Sequence, residues 1–230
     1  MPQTLVYLHI VRFADLDAGR CAELASHVPP ADQATLARHP ETRQHQLLAR
    51  GLLREQLGKA LNAAPAGLVF ARDPRGKPFL PQAGIGFNVS HSHSACALCW
   101  SASPLQLGVD IEDMNRDLHE ARLAEHAFSA GEIRAWQAAS QPRRRWLSIW
   151  TRKEAILKAT GLGIRMSLAS VDTEKGDPPG HFSHPRLGRL QFRTWLAGAQ
   201  VLSLAWVYRP DVEVRVRLNS VLPEFEPVAE

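Results

Sequence analysis

The chain reads WTRKEAILKATGLG from Trp150 to Gly163, and its apolar spacing predicts the end of an amphipathic helix. At about 100° per residue, Lys153 falls in the middle of the apolar arc, where a helix built only for packing would carry a leucine. Glu154 lies at the edge of that arc. Gly161 and Gly163 are typical C-cap residues, so the charged edge of the helix is expected to lie close to a loop.

Two interpretations of this charged edge stay open at this point. The Lys153 stem could cover apolar surface while its ammonium group reaches water, and Glu154 and Lys158 could form a weak surface pair one turn apart. Alternatively, the charged groups belong to a functional site beside the loop.

The composition indicates a globular protein of one large or two small domains. The chain has 230 residues, of which 45% are hydrophobic and 22% are charged. No apolar run approaches the roughly 20 residues of a membrane span, and the first residues lack a basic signal-peptide region, so we expect no membrane association. Three cysteines without a secretion signal predict reduced thiols and a cytoplasmic protein.

The charge balance favours an acidic partner or a polyanionic ligand. The formal net charge is +4 and the sequence pI is about 9.2. A phosphorylated cofactor, an acidic protein and nucleic acid all fit this number. No basic stripe with interleaved aromatic residues and no nucleic-acid motif is present, so a nucleic-acid-binding module is the less favoured alternative.

The residue pattern mixes helices with runs of strands in both halves of the chain. The predicted strands are Leu5–Val11, Leu68–Ala71, Gly86–Ser90, Ala95–Ser101, Leu107–Glu112, Gly188–Ala197, Val201–Tyr208 and Val212–Leu218. The predicted helices are Gly19–Val28, Ala31–His39, Glu41–Leu61, Leu118–His126, a helix with Ser129 and Glu132 as its capping box, and the helix from about Arg143 that contains Trp150. Lys175–Gly188 is predicted to be a loop.

A polar segment, Ser101–Pro104, marks the best internal boundary. We therefore expect an α+β protein of two similar α/β lobes, residues 1–103 and 104–218, followed by a loose tail from 219 to 230.

A pair of carboxylates lies on one face of the predicted strand that follows this boundary. In Gly108-Val-Asp-Ile-Glu112, Asp110 and Glu112 point the same way and are about 7 Å apart at Cα. Like charges on one strand face are unfavourable unless a cation lies between them, and Mg²⁺ prefers such oxygen ligands. Glu154 is the candidate third carboxylate. Solvated strand faces also carry this pattern, so the alternative of a simple exposed face stays open.

Three further stretches carry candidate or excluded chemistry. Phe87–His91 ends an apolar strand with hydroxyl and imidazole groups, which suits an anion site or an ordinary polar strand end. Gly76–Pro78 places Lys77 on a rigid turn. Cys96 and Cys99 lie within an apolar strand and have no second cysteine pair, so a zinc site is not expected.

Taken together, five short motifs resemble those of the Sfp-type 4′-phosphopantetheinyl transferases. The two signature stretches are Gly108–Glu112 and Trp150–Lys158, which reads WTRKEAILK. The other matches, in the same chain order as in that family, are Gly76–Pro78, Phe87–His91 and Phe128–Glu132.

The resemblance implies an activity and a fold. The family moves the phosphopantetheine arm of coenzyme A to a serine of an acyl, peptidyl or aryl carrier protein and releases adenosine 3′,5′-bisphosphate. Its members have a pseudo-dimeric pair of α/β lobes with the cofactor in the cleft between them. A Mg²⁺ cofactor, an acidic carrier protein as partner and a monomeric state are implied as well.

By position, the resemblance also implies residue roles. Asp110, Glu112 and Glu154 would hold magnesium, and Glu154 would help to deprotonate the incoming serine. The implied cofactor contacts are Lys158 at the pyrophosphate, Lys77 and its turn beside the adenine, and Ser90 and His91 at the 3′-phosphate.

One position departs from the family pattern. The family usually has an arginine near the start of the first-lobe helix, where this chain has His45. Arg43, Arg50 or Arg38 could replace that arginine at the 3′-phosphate. A Lys153 ammonium near the pyrophosphate would explain a cation on an apolar arc. The runner-up function is another magnesium-dependent enzyme acting on a nucleotide, which would need no carrier protein.

Overall fold

The computed structural model describes residues 3–81, 83–162, 166–175, 180–220 and 225–228 and shows a mixed α/β fold. The strands are β1 (Gln3–Arg12), β2 (Ala71–Arg72), β3 (Pro78–Phe79), β4 (Gly86–His91), β5 (Ala95–Ser101), β6 (Leu107–Asp113), β7 (His181–His184), β8 (Gly188–Ala197), β9 (Gln200–Val207), β10 (Glu213–Ser220) and β11 (Phe225–Pro227). The helices are α1 (Ala18–Ser26), α2 (Pro30–Gln33), α3 (Pro40–Leu61), α4 (Glu120–Ala127), α5 (Ala130–Gln137) and α6 (Pro142–Thr160).

The strands form two main sheets and one short hairpin. The first sheet has the order β10-β1-β5-β4, and the second has the order β11-β8-β9-β6 with β7 paired to β8. Strand β10 follows the second sheet in sequence but pairs in parallel with β1, from Gln3 with Glu213 onward. Residues 213–218, which the sequence pattern grouped with the second lobe, are thus hydrogen-bonded into the first sheet.

One apolar core joins the two sheets, and a long helix covers the other face of each sheet. The shared core contains Val6, Leu8 and Ile10 of β1, Val109 and Ile111 of β6, and Leu202 and Leu204 of β9. On the other face of the first sheet, Leu48 and Leu52 of α3 pack with Cys96 and Leu98. On the other face of the second sheet, Ile156 and Leu157 of α6 pack with Phe192 and Ala205. At about 25 cal/mol per Å² of buried apolar surface, these three layers of contact supply the main stabilisation.

The two cysteines of β5 face opposite sides of their sheet. Cys96 packs toward α3 and Cys99 lies in the shared core, and both are free thiols. Burial raises the pKa of each thiol to about 12, so neither forms a thiolate near neutral pH. The expectation that they are buried small residues is confirmed.

Helix α6 lies unusually close to β6 because residue 108 has no side chain. A Cβ atom on Gly108 would lie 2.0 Å from the Ala155 carbonyl oxygen and 2.3 Å from the Ala159 amide nitrogen, closer than atoms can approach. The helix ends at Gly161 in the left-handed conformation, with φ of 69°, as the C-cap pattern predicts. Gly163 lies outside the described residues.

Some predictions of local structure were wrong. A helix over 31–39 is largely absent, and only Pro30–Gln33 is helical. Side chains of α3 bind the backbone of this segment instead: Arg50 donates to the Asp32 carbonyl oxygen at 2.8 Å, and Gln46 accepts from the Ala37 amide at 2.8 Å. Of the strand predicted over 68–71, only Ala71 is in a strand.

The predicted loop and tail also contain paired strands. His181–His184 forms β7 within the segment expected to be a loop, and Phe225–Pro227 pairs with β8 within the segment expected to be a loose tail. Asn219 and Ser220 extend β10. The β11 pairing joins residues at least 28 positions apart, whereas β7 forms a short hairpin with β8 in a segment whose Gly, Pro and His content favoured a loop. Within the described parts of the chain, no helix has both the length and the hydrophobicity needed to cross a membrane.

Replacing Gly108 with alanine should disrupt the packing of α6 on β6. The new Cβ would overlap backbone atoms that cannot rotate away, so we expect the free energy of unfolding to fall by about 3 kcal/mol, as for a severely overpacked core site. Chemical denaturation measures this change. The matched control is Gly131→Ala in α5, where the nearest atom is 3.5 Å away and helix propensity favours alanine. Equal stability of the two variants would contradict the close-contact interpretation.

Candidate active site

The face of β6 that meets α6 carries the two carboxylates found in the sequence. Side chains alternate along a strand, so Asp110 and Glu112 lie on the same side as Gly108, under the helix. Both are buried, with 5% and 8% exposure. Glu154 and Lys158, one turn apart on α6, are half-buried. The close contact at Gly108 therefore brings the two signature stretches together.

Asp110 is the centre of a compact polar contact between three elements. The Lys158 Nζ lies 2.6 Å from Asp110 Oδ1 and donates to the Ser90 Oγ at 2.8 Å. The Ser90 hydroxyl in turn donates to Asp110 Oδ1 at 3.0 Å. The second carboxylate oxygen of Asp110 is buried without a hydrogen-bond partner among the described residues. A buried anionic oxygen with no partner is costly, and it points to a ligand that is a cation or a donor.

The surroundings of the other two carboxylates, Glu112 and Glu154, disfavour their charged forms. Burial raises the pKa of Glu112, the negative charge of Asp110 adds to this effect, and Arg116 opposes it. Burial also raises the pKa of Glu154, again with a contribution from Asp110. The negative charge of Asp110 therefore disfavours the charged forms of two poorly solvated glutamates beside it.

This donor set fits a hard divalent cation in its chemistry. Carboxylate oxygens are the ligands that Mg²⁺ prefers, and Asp110 offers a buried oxygen without a partner. In the described residues, however, no three His, Cys, Asp or Glu side chains already converge as a metal cluster. Positive charge comes instead from Lys158 on Asp110 and Arg116 on Glu112.

A cleft opens beside this charged region, between α6 and the first sheet. It has a volume of about 310 Å³. Its walls are the turn at Arg75–Pro78, the β4 residues Asn88 and Val89, and Glu154, Leu157, Lys158 and Gly161 at the end of α6. A second hollow of about 460 Å³ shares Arg75, Lys77 and Pro78 with the cleft. The two hollows together provide space for an elongated ligand beside Lys158.

The Lys77 side chain ties the turn to the second half of the protein. Its Nζ donates to the carbonyl oxygens of Lys158, Leu107 and Ala159 at 2.7, 2.8 and 3.0 Å. Burial lowers the pKa of Lys77 to about 8. The ammonium group thus satisfies carbonyls at the end of α6, where helices leave such groups without partners, and the backbone of its turn lines the cleft.

Lys153 does not lie at the cleft, in contrast to the expected pyrophosphate contact. It has 0% exposure, and its Nζ forms a buried ion pair with Glu132 at 2.6 Å. The same group donates to the carbonyl oxygens of Leu168 and Val171. Burial lowers the pKa of Lys153, and the negative charge of Glu132 opposes this shift. The lysine therefore anchors α5 and the 168–171 segment to α6 from inside.

Glu132 forms two sets of hydrogen bonds besides its ion pair with Lys153, and the sequence pattern predicted one of the two sets. Glu132 completes the capping box of α5 with Ser129, as predicted. It also accepts hydrogen bonds from the backbone amide and hydroxyl of Thr173. The spacing of a capping box predicts the first set, but no local pattern links Glu132 to Lys153, which is 21 positions away.

Basic residues from the first sheet side approach Lys158. Burial lowers the pKa of His91, and the positive charges of Lys158 and Arg50 lower it further, so these groups lie within electrostatic reach of one another. Burial also lowers the pKa of His45, whose ring stacks on Phe13 at 4.4 Å. The Arg50 guanidinium donates to the Asp32 carbonyl and the Thr35 hydroxyl. His45 and His91 thus share a region, while Arg50 is partly committed to the backbone.

Two residues near the carboxylates were not singled out from the sequence. Arg116 pairs with Glu112 from the turn after β6. Asp113, at the end of β6, accepts from the Ser94 amide at 3.1 Å and from the Gln200 side chain at 3.2 Å. It thereby holds the turn between β4 and β5 against the second sheet. Asp113 directly follows the Gly-x-Asp-x-Glu motif and Arg116 lies four positions after Glu112, and only this closeness in sequence could have indicated them.

Comparison with known proteins finds a family that is similar to this part of the chain. Residues 106–205 match the model of the 4′-phosphopantetheinyl transferase superfamily. Over this segment the chain is similar to that superfamily. The match contains β6 and α6, and with them Asp110, Glu112, Glu154 and Lys158. The resemblance inferred from the motifs is confirmed.

Curated relatives carry the same family name. The chain is 36% identical over 131 residues to the 4′-phosphopantetheinyl transferase HetI of Nostoc sp., a match that covers 54% of this chain and 55% of the relative. It is 30% identical over 148 residues to the 4′-phosphopantetheinyl transferase of Bacillus subtilis, covering 63% and 64%. It is 38% identical over 102 residues to AcpT of Escherichia coli K12, covering 43% and 51%. The chain thus spans about half to two thirds of the length of these superfamily members.

Removing the buried cation of the Lys153–Glu132 pair should strongly destabilise the fold. Lys153→Met leaves the Glu132 carboxylate buried without its counter-ion, so we expect a loss of about 3–5 kcal/mol in the free energy of unfolding. Urea denaturation measures this loss. The matched control is Lys59→Met, which breaks a pair of the same 2.6 Å length at a 65% exposed lysine and should cost about 1 kcal/mol or less. Similar losses in both variants would show that the buried pair is not an anchor.

Proposed function

We propose that this protein transfers the 4′-phosphopantetheine group of coenzyme A to a serine of an apo acyl, peptidyl or aryl carrier protein. The products would be the holo-carrier and adenosine 3′,5′-bisphosphate. The observation that carries the proposal is the contact of Asp110, Ser90 and Lys158, beside a cleft that Lys158 and Glu154 line. The superfamily match over 106–205, which contains Asp110 and Lys158, supports it.

The proposed metal ligands are the three carboxylates of the site. Asp110, Glu112 and Glu154 would hold Mg²⁺, with the partner-free Oδ2 of Asp110 as a ready ligand atom. A bound Mg²⁺ supplies positive charge that offsets the charge of the pyrophosphate and of the leaving bisphosphate.

Lys158 is proposed to bind the pyrophosphate. Its side chain is 30% exposed and borders the cleft, so its ammonium group can turn from Asp110 to a phosphate oxygen. Ser90 already donates to Asp110 and accepts from Lys158. It would keep the carboxylate and the ammonium group aligned while the ligand enters. Such fixed charges lower the barrier mainly by positioning and by stabilising the charge of the transition state.

Glu154 is proposed to accept the proton of the incoming serine. Burial raises its pKa, which makes this carboxylate a better base than a solvated glutamate. As the serine oxygen forms a bond to the β-phosphorus, the bond from this phosphorus to the bridging oxygen breaks. The bisphosphate leaves with that electron pair, and the serine proton goes to Glu154.

The first-sheet side of the cleft is proposed to hold the adenosine end. His91 and His45, with Arg50, would provide positive charge or donors for the 3′-phosphate, and the Lys77 turn would lie beside the adenine. On this proposal the fold is a pseudo-symmetric pair of lobes over 1–103 and 104–218, with the cofactor between them and β10 returning to the first sheet.

The proposed partner is an acidic carrier protein. The formal net charge of +4 favours such a partner over a basic or neutral one. We propose that the enzyme works as a monomer in the cytoplasm, where its three free cysteines would stay reduced.

The direct test is transfer to a purified apo-carrier. The protein is mixed with coenzyme A, Mg²⁺ and several carriers, and intact-mass spectrometry follows each carrier. We expect the mass to increase by one phosphopantetheine group, EDTA to stop the increase, and excess Mg²⁺ to restore it. Unchanged masses of all carriers would reject the transferase, and full activity in EDTA would reject the metal.

Removing the Asp110 carboxylate should abolish most of this activity. Asp110→Ala deletes the proposed metal ligand and the partner of Lys158, so we expect the labelling rate to fall on the order of 100-fold or more. Circular dichroism checks that the variant is folded. The control is Asp117→Ala. This change removes an exposed carboxylate shortly after the turn that follows β6, and the variant should label the carrier at the wild-type rate. Wild-type labelling by Asp110→Ala would remove Asp110 from the site.

A further inference from the structure

Arg116, which lies at the turn after β6, pairs with the second carboxylate of the site, Glu112. Arg116 Nη1 donates to Glu112 Oε1. The Glu112 side chain is 11% exposed, whereas the Arg116 side chain is 46% exposed. The proposed transfer mechanism assigns no task to Arg116, although it contacts one of the three carboxylates.

The turn that carries Arg116 is held in place independently of this ion pair. The Arg116 amide donates to the Asp113 carbonyl oxygen at 3.1 Å. Arg143 of α6 donates to the Met114 carbonyl oxygen at 3.0 Å and also to the Arg116 carbonyl oxygen. Backbone contacts therefore fix the turn, and only the Arg116 side chain is free to change its partner.

The two cations on the carboxylates differ in how easily they can leave. Lys158 contacts Asp110 and also Ser90, in a half-buried position between two elements. Within the described residues, the Arg116 side chain pairs with Glu112 alone, and it reaches solvent. Exposed ion pairs are weak because water competes for both groups, while a buried carboxylate left alone is unfavourable. Arg116 is thus the cation that can be exchanged at low cost when another cation arrives.

We propose that Arg116 is a displaceable internal counter-ion for Glu112, which it releases when a divalent cation binds. Arg116 neutralises Glu112 in the metal-free protein and competes with the metal for the same carboxylate. This competition keeps the affinity of the site for the metal below the affinity that the three carboxylates would have without Arg116. The inference rests on the proposed function only in treating Asp110, Glu112 and Glu154 as a cation site.

The test measures binding of Mn²⁺ alone to the full-length protein. Electron paramagnetic resonance counts free Mn²⁺ during a titration, and the shift of the melting temperature with Mn²⁺ gives a second measure. We expect Arg116→Gln to bind Mn²⁺ about fivefold more tightly than the wild type, because a competing positive charge is gone. Arg116→Lys keeps the charge and should bind as the wild type does. Arg122→Gln, at an exposed site on α4, is the control for net charge.

A mutant cycle identifies the carboxylate that Arg116 acts through. In a Glu112→Gln background, Arg116→Gln should no longer raise the Mn²⁺ affinity. Unchanged or weaker binding in Arg116→Gln, an equal gain in Arg122→Gln, or no Mn²⁺ binding to any variant would overturn the inference. Carrier labelling is scored separately. Failure of the inference with intact labelling leaves the transferase standing, and a gain in Mn²⁺ affinity without labelling leaves only the cation site.

Discussion

The approach of α6 to β6 is the constraint on which the candidate site depends. The Ala155 carbonyl and the Ala159 amide lie where any side chain on residue 108 would be. This contact sets the helix directly over the strand face that carries Asp110 and Glu112. The turn of α6 with Glu154 and Lys158 then faces those carboxylates. The glycine of the Gly-x-Asp-x-Glu motif is therefore required for packing, and its acidic residues are the proposed metal ligands.

Three kinds of contact made by α6 explain why its sequence mixes apolar and charged residues. Its apolar residues cover the second sheet, its Lys153 pairs with Glu132 in a fully buried position, and its Lys158 reaches the cleft. A buried ion pair is stable only when both partners are present and their remaining hydrogen bonds are satisfied. Glu132 meets this condition through Ser129 and Thr173, and Lys153 meets it through two backbone carbonyls. The buried Lys153–Glu132 pair therefore fixes the helix, whereas Glu154 and Lys158 lie at the cleft.

Much of the fold was predictable from local patterns, and the resemblance to the transferase family predicted that the two signature stretches meet. Helix α6, its glycine C-cap, the strand β6 and the capping box at Ser129 all follow from periodicity and end signals. The partners of charged side chains were not predictable, because they are set by tertiary packing. Lys153 faces Glu132 instead of the cleft, and Lys77 binds carbonyls of α6. The parallel pairing of β10 with β1 joins residues about 210 positions apart, which no local pattern reports.

The account centres on one cation and one diphosphate shared by Asp110, Glu112, Glu154 and Lys158. The most direct measurement is a crystal structure of the protein with coenzyme A and Mn²⁺, using anomalous scattering to locate the metal. The account predicts an anomalous peak about 2.1 Å from an Asp110 oxygen, with the pyrophosphate beside Lys158. A peak remote from these carboxylates, or coenzyme A bound at the cavity near Tyr208 and Arg209, would contradict it.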